Sequence, residues 1–416
     1  MSTLRTRASR VALSASAGLA TVVLLAGCSG TATPASTADG DDTDFSGVEL
    51  TVWNNIDFDP YQTLQKEYFE QCAADLDITV DVQTLSGDYT TSLLQAASSK
   101  SLPDIALLNT DTQLPQLAAQ GVLADLGELG LKTDGLADSV ADLGTYDEKL
   151  YGLPVQVEDY SIFYNKALFE EAGITELPTT FDELIAAAKA ATTADHYGIA
   201  LPGIAGDGST SSYFLPFLLS AGGDPAEVTS DGAVAAIDLY KTLVDDGSLS
   251  KEFVNWGWDG IDQWKSGKAA ITVSGPWNLV DTSLGFEYGT FSIPAGTSAD
   301  KSSVGLLGYA YGVAVQADEK REKAAAALVE CRAAEENQID TAVKGGYVPA
   351  LTSAQAAFVE QVPAAEAFVT PVENAFNPAS LGTEWNALQQ KYVDALQNAT
   401  VNGVSAEEAL SKADQG

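Results

Sequence analysis

The chain has 416 residues, with 58 Asp and Glu against 21 Lys and Arg, for a formal net charge of −37. It holds no cluster of Lys and Arg able to release counterions from a phosphate backbone, so nucleic-acid binding is excluded. The acidic side chains are spread along the sequence as on a solvated surface, and the length suits one large domain or two lobes.

Arg5, Arg7 and Arg10 precede an apolar stretch from Val11 to Ala26. That stretch is too short for an ordinary membrane span and ends in small residues, which predicts a secretion signal over 1–27. It closes on Leu25-Ala26-Gly27-Cys28, which resembles the lipobox of bacterial lipoproteins. There the cysteine thiol takes a diacylglyceryl group and becomes residue one after cleavage. The resemblance implies a lipid anchor at Cys28, on the outer face of the cell membrane. Residues 28–46 read as the lipidated cysteine and a flexible tether, since Gly, Ser, Thr, Ala and Asp bury too little to offset ordering.

From Val48 to Trp53 apolar and polar residues alternate, which predicts a strand. Tyr61 to Ala73 has helical spacing, with Leu64, Tyr68 and Phe69 on one side. A strand over 78–82, a helix over 89–99, a strand over 105–108 and a helix over 112–120 follow, the last stopped by Gly121. Strands alternating with helices predict an α/β fold with a mainly parallel sheet. In such sheets ligands gather past the carboxyl ends of the strands. The residues there are Trp53, Asn54, Asn55 and Asp57, then Asp88, then Asn109 and Asp111. One aromatic with amides and acids suits a polyol and suits phosphate poorly.

A second region starts near Tyr160. Thr180 to Glu183 fits a capping box that opens a helix through Ala191. Helices are predicted over 233–246 and 320–334, strands over 269–274 and 312–315, and an amphipathic helix over 385–396. No internal repeat is present.

His196 is the only histidine, so a histidine triad or a multi-histidine metal site would hang on one residue; it reads as surface or structural. The nucleophile elbow and the phosphate-cradling loop are missing, as are calcium loops, and Gly206-Asp207-Gly208-Ser209 reads as a plain loop. No catalytic residue, metal or cofactor is predicted. A glycosidase pair of carboxylates stays open, because distance defines it.

Six tryptophans, Trp53, Trp256, Trp258, Trp264, Trp277 and Trp385, lie mostly beside Gly, Asn or Asp rather than in apolar runs. An indole covers the C–H face of a pyranose while Asp, Glu, Asn or Arg hydrogen-bond its hydroxyl fringe. Core packing is the competing reading for any one of them, and the group from Trp256 to Trp277 carries more weight than a single member. Cys72 and Cys331 remain after Cys28; an oxidising compartment invites a disulfide, but the sequence does not show that they approach.

Several motifs, in order and spacing, resemble the family 1 extracellular solute-binding proteins, the group that includes maltose-binding proteins. They are Tyr151-Gly152-Leu153-Pro154 with Glu158 to Tyr160 and Tyr164 to Phe169; Pro178 to Leu184; Gly267 to Ile271 leading to Gly275-Pro276-Trp277-Asn278; Gly308 to Val315; and Gly346-Tyr347-Val348-Pro349. The resemblance implies a two-lobed periplasmic-binding-protein type II fold: 47–158 with 310–372 as one lobe, 162–305 with 375–416 as the other, and hinge strands near 155–162, 305–312 and 370–378. It implies a non-enzymatic, monomeric sugar-binding component of an ABC importer, with the permease subunits and the membrane as partners. By position, Glu158, Tyr160, Trp277, Tyr309, Gly346 and Tyr347 match ligand-contacting sites of that family, with Tyr213 and Trp385 matching more loosely. The loop from Trp53 to Asp57 carries no basic residue, which suits a neutral sugar or oligosaccharide better than a uronate.

Overall fold

The computed structural model describes residues 44–206, 208–296, 302–382 and 384–415. The secretion signal, Cys28 and most of the tether lie outside the described residues. Twelve strands follow one another as β1 (Glu49–Asn54), β2 (Thr79–Thr84), β3 (Ile105–Asn109), β4 (Thr145–Tyr146), β5 (Lys149–Leu150) and β6 (Leu153–Glu158). After them come β7 (Ser161–Asn165), β8 (Tyr197–Ala200), β9 (Ala269–Ser274), β10 (Tyr288–Phe291), β11 (Leu307–Val313) and β12 (Val348–Pro349).

A six-stranded sheet has the order β12-β6-β11-β3-β1-β2 and a four-stranded sheet the order β10-β7-β9-β8. Both are mixed, which corrects the expectation of mainly parallel sheets. β2, β1 and β3 are parallel as their βαβ crossovers demand, whereas β11 runs antiparallel to both β3 and β6. The reason is that β6 and β11 are the strands by which the chain leaves and re-enters this sheet, so they run in opposite directions.

Local chemistry explains the helix bounds. The helix Tyr89–Ser99 starts where Asp88 accepts the Thr91 N–H at 2.9 Å, and it stops at Lys100 in the left-handed region. The helix Phe181–Ala191 has the full capping box: Thr180 Oγ1 accepts from Glu183 N, and Glu183 Oε2 accepts from Thr180 N, both at 3.2 Å. The helix Glu384–Val401 is longer than its predicted 385–396 core. The strand expected over 312–315 instead spans Leu307–Val313, because Ala314 and Val315 turn away to bond Asp104 O and Val122 O.

Helices Tyr61–Asp75 and Glu319–Arg332 pack against the larger sheet with Leu50, Val52, Phe69 and Val329 buried between. Cys72 and Cys331 join these two helices in a disulfide, with Cα atoms 5.9 Å apart and a sequence separation of 259. The smaller sheet is covered by helices Phe181–Ala191, Ser209–Ser220, Asp231–Asp245 and Glu384–Val401, sharing a core that includes Ile162, Phe217, Tyr240, Ile271 and Leu396. No helix among the described residues is long and apolar enough to cross a membrane.

The chain passes between the sheets at three places. β6 ends at Glu158 and β7 begins at Ser161, so Asp159 and Tyr160 are the first crossing. Residues 304–306 and Phe376 cross side by side, with Leu306 N donating to Phe376 O at 2.7 Å and Phe376 N to Val304 O at 2.9 Å. Gly305 lets this crossing pass close against the helix Ser209–Ser220, since a Cβ there would lie 2.4 Å from Leu215 Cδ2.

Candidate functional site

Beside the crossings lies a cavity of about 100 Å³ lined by Asp111, Tyr160, Gly208, Ser212, Leu215, Pro216, Gly305, Leu307, Pro378, Trp385 and Gln389. Asp111 and Leu307 come from the larger-sheet side, Tyr160 from the crossing, and Ser212, Trp385 and Gln389 from helices on the smaller sheet. Ser211 Oγ donates to Gln389 Oε1 at 2.7 Å and ties the two helices of the wall together. The volume is below the few hundred Å³ usual for a ligand site.

Rings from both sides meet around it. Tyr160 lies 5.0 Å from Tyr213 and 6.0 Å, edge-on, from Trp277. Trp277 lies 6.2 Å from Tyr347, which in turn meets Tyr61 at 5.0 Å and Tyr309 at 6.4 Å. Trp258, 46 % exposed, sits 6.0 Å from Tyr213 at the rim. Trp277 is held in place by what surrounds it: a Cβ on Gly275 would strike its ring at 2.1 Å, and one on Gly346 would come within 2.8 Å of its Cα. The segment after β9 and the loop before β12 therefore touch backbone to backbone.

Asp111 lines the cavity, and Glu158 and Asp159 lie at the adjoining first crossing. Register places Leu307 opposite Glu158, and Tyr309 opposite Asn109. Burial pushes the Glu158 carboxyl up to about 8, with Asp111 adding repulsion. Burial likewise raises Asp111. Asp159 is 1 % exposed with no partner for either carboxylate oxygen, and burial holds its carboxyl well above the ordinary range. Burial also raises the Tyr160, Tyr309 and Tyr347 phenols, which stay neutral donors.

Of the residues expected from sequence, the structure gathers Asn109, Asp111, Glu158, Tyr160, Tyr213, Trp258, Trp277, Tyr309, Gly346, Tyr347 and Trp385 in or beside this cleft. Others are engaged elsewhere. Asp88 is exposed and spends its carboxylate on capping Thr91. Asp57 is exposed in a loop. Trp53 donates from Nε1 to Gln83 at 3.1 Å and packs, with Leu85 and Leu94, against a buried cluster that includes Tyr89, Leu93 and Leu108. Trp256 packs within the smaller-sheet core, its ring meeting Tyr197 rather than the cleft aromatics. Asn54 is fully buried with its side-chain amide unpartnered, and Asn55 is half-buried beside it. Sequence reading missed Tyr61, Ser212, Gln389 and Asp159; only Asp159, lying inside the quoted Glu158 to Tyr160 motif, carried a signal.

Two sheets joined by three crossing segments, with an aromatic-walled cavity beside the crossings, are the plan of a two-lobed binding protein. The crystal structure of a cyclic α-maltosyl-1,6-maltose binding protein from Arthrobacter globiformis shares this fold, with a TM-score of 0.77 at 24 % identity over 88 % of this chain and 97 % of that one. The diacetylchitobiose binding protein DasA of Streptomyces coelicolor is 26 % identical over 83 % of each chain. A binding protein of Brucella abortus is 30 % identical over 38 % of this chain, and the chain spans only 41 % of that relative's length. The model of the bacterial extracellular solute-binding proteins matches residues 67–370, and the chain belongs to that family. Its members act outside the cytoplasm, and the relatives it matches are binding proteins rather than enzymes.

Proposed function

We propose that this chain is the carbohydrate-capturing component of an ABC-type importer, tethered through lipid on Cys28, monomeric, and delivering its ligand unaltered to the permease subunits. The lobes would be 47–158 with 310–372 and 162–305 with 375–416, closing by hinge motion. One observation carries the reading: Tyr160 and Trp385 wall a cavity whose polar groups include Asp111, Ser212 and Gln389, and Trp277, Tyr347 and Tyr309 continue from Tyr160 as a chain of ring contacts. Flat aromatic walls with a carboxyl, a hydroxyl and an amide converging between them fit a pyranose. No basic side chain lines the cavity among the described residues, which argues against an anionic sugar. The sugar ligands named for the Streptomyces and Arthrobacter relatives point the same way.

Intrinsic tryptophan fluorescence titrated with a panel of mono- and oligosaccharides tests this. A saturable shift at micromolar concentration is expected, with Trp277→Ala weakening it by about tenfold or more, the order lost with one aromatic stacking contact. No response to any sugar would move the ligand to another class. New reducing ends during incubation would make the chain a hydrolase instead.

A further inference from the structure

Two helices supply much of the cavity wall beside the crossings, each through residues about one turn apart. Ser212, Leu215 and Pro216 share one side of the helix Ser209–Ser220, and Trp385 and Gln389 share one side of the helix Glu384–Val401. Ser211 fixes how Gln389 presents its amide. The Gly208 carbonyl has two lone pairs, and Ser212 meets both, donating from N at 3.1 Å and from Oγ at 3.0 Å. The Ser211 hydroxyl lies 3.0 Å from the same carbonyl but 2.7 Å from Gln389 Oε1, so its single hydrogen goes to Gln389. That holds the amide oxygen against the wall. Nε2, which has no partner among the described residues, is left as a donor to the cavity that Gln389 lines.

Part of the same lining is apolar. A Cβ on Gly305 would lie 2.4 Å from Leu215 Cδ2 and 3.7 Å from Pro378 Cγ, so these carbons converge on one spot, and Pro216 and Leu307 extend the face. Asp111 is the one carboxyl among the described residues that line the cavity. A ring hydroxyl turned toward Leu215 and Pro378 would lose water and gain no partner, which costs binding energy. An ammonium would bring donors to the Gln389 donor. An acetamido group meets each part of this lining, because its carbonyl accepts, its methyl is apolar and its N–H donates.

We infer that the cleft selects a sugar carrying an N-acetylated amino group. The acetamido carbonyl accepts from Gln389 Nε2, the methyl lies against Leu215 and Pro378, and the N–H donates to Asp111. This rests on the carbohydrate reading above and narrows the neutral ligand to one class.

The test is calorimetric titration of the purified chain with matched pairs. These are N-acetylglucosamine against glucose, N-acetylgalactosamine against galactose, and diacetylchitobiose against cellobiose, with glucosamine as the free amine. An acetamido sugar is expected to bind about tenfold or more tightly than its plain partner, and more tightly than the amine. Gln389→Glu keeps the side-chain shape but removes the N–H donor, and should bring that ratio to within about twofold. Ser211→Ala frees the amide to turn and should also lower the ratio, whereas a merely structural loss would weaken both members of a pair alike. The wild-type ratio decides the matter even where a variant fails to fold. Equal or tighter binding of the plain sugars overturns the acetamido assignment and leaves the carbohydrate reading standing, and a ratio unchanged in Gln389→Glu overturns the seat. No heat with any of these sugars overturns the assignment too, and silence across the wider saccharide panel overturns both readings.

Discussion

Glu158 illustrates how one buried side chain links stability to pH. Its folded carboxyl titrates at about 8, pushed up first by burial and then by Asp111, against about 4.3 in an unfolded chain. Between those values the folded protein holds a proton that the unfolded one has lost. The contribution is therefore complete below the unfolded value and disappears as pH rises through about 8. Asp111 and Asp159, both raised by burial, act in the same direction. Urea unfolding between pH 5 and pH 9 should show stability falling with pH, and Glu158→Gln should flatten that fall. Parallel wild-type and variant profiles would mean that Glu158 ionises freely in the fold. The same residue shows what sequence revealed of the site. Glu158, Tyr160, Trp277, Tyr309 and Tyr347 are singled out in the sequence by motifs of fixed spacing, and they fall at or near the first crossing in the fold. Asp88 was misread because an N-cap and a hydroxyl-binding acid use the same residue type.

Among elements, the helix Glu335–Gly345 ends in a way that matters for closure. Gly346 caps it with φ at +83°, donating its N–H to Ala342 O at 2.8 Å. A Cβ there would lie 2.6 Å from Pro276 O on the opposing segment. Gly346→Ala therefore meets two penalties: the left-handed backbone, about 1–2 kcal/mol, and a clash that exists only while the two segments touch. Ligand affinity should fall by tenfold or more while the thermal transition drops only modestly; unchanged affinity would show that this contact plays no part in closure. The disulfide is the second device at this scale. It joins two helices packed on the larger sheet at a sequence separation of 259, with the entire smaller sheet lying between them in the chain. Reduction, or Cys72→Ser, should cost roughly 2–5 kcal/mol, read from denaturant midpoints with and without reductant; coincident midpoints would remove the bridge from any stabilising role.

The elements also show where legibility stopped. Helices with a capping residue or an apolar stripe, such as Tyr89–Ser99 and Phe181–Ala191, declared their ends chemically. β6 did not, because Leu153 to Val157 is buried throughout and contains Pro154, so it has no alternation to read. The antiparallel course of β11 was likewise invisible, since direction within a sheet is set by where the chain crosses, a long-range property.

For the molecule as a whole, charge is the dominant long-range term. Acidic side chains outnumber basic ones by 58 to 21, so most carboxylates have no cation to pair with. Among the described residues several pairs are contacts one helical turn apart, such as Lys241–Asp245 and Lys344–Asp340, each worth well under 1 kcal/mol, and others, such as Lys265–Asp281, link separate segments. Arg321 with Asp104 is the exception: Nη2 donates to Oδ2 at 2.7 Å, the carboxylate is almost fully buried, and the same oxygen accepts from Thr51 N. Net repulsion should therefore exceed net attraction on this surface, and salt screens repulsion over a distance that shrinks to about 8 Å at physiological strength. Raising sodium chloride from 10 mM to 300 mM at pH 7 should raise the melting temperature, where a protein held together by surface ion pairs would lose stability. A fall would mean that attractive pairs outweigh the excess of carboxylates, and Arg321→Ala would then be the variant to compare, since it removes the best-buried of them. A rise that persists in Arg321→Ala would assign the salt effect to the dispersed acidic surface rather than to any single contact.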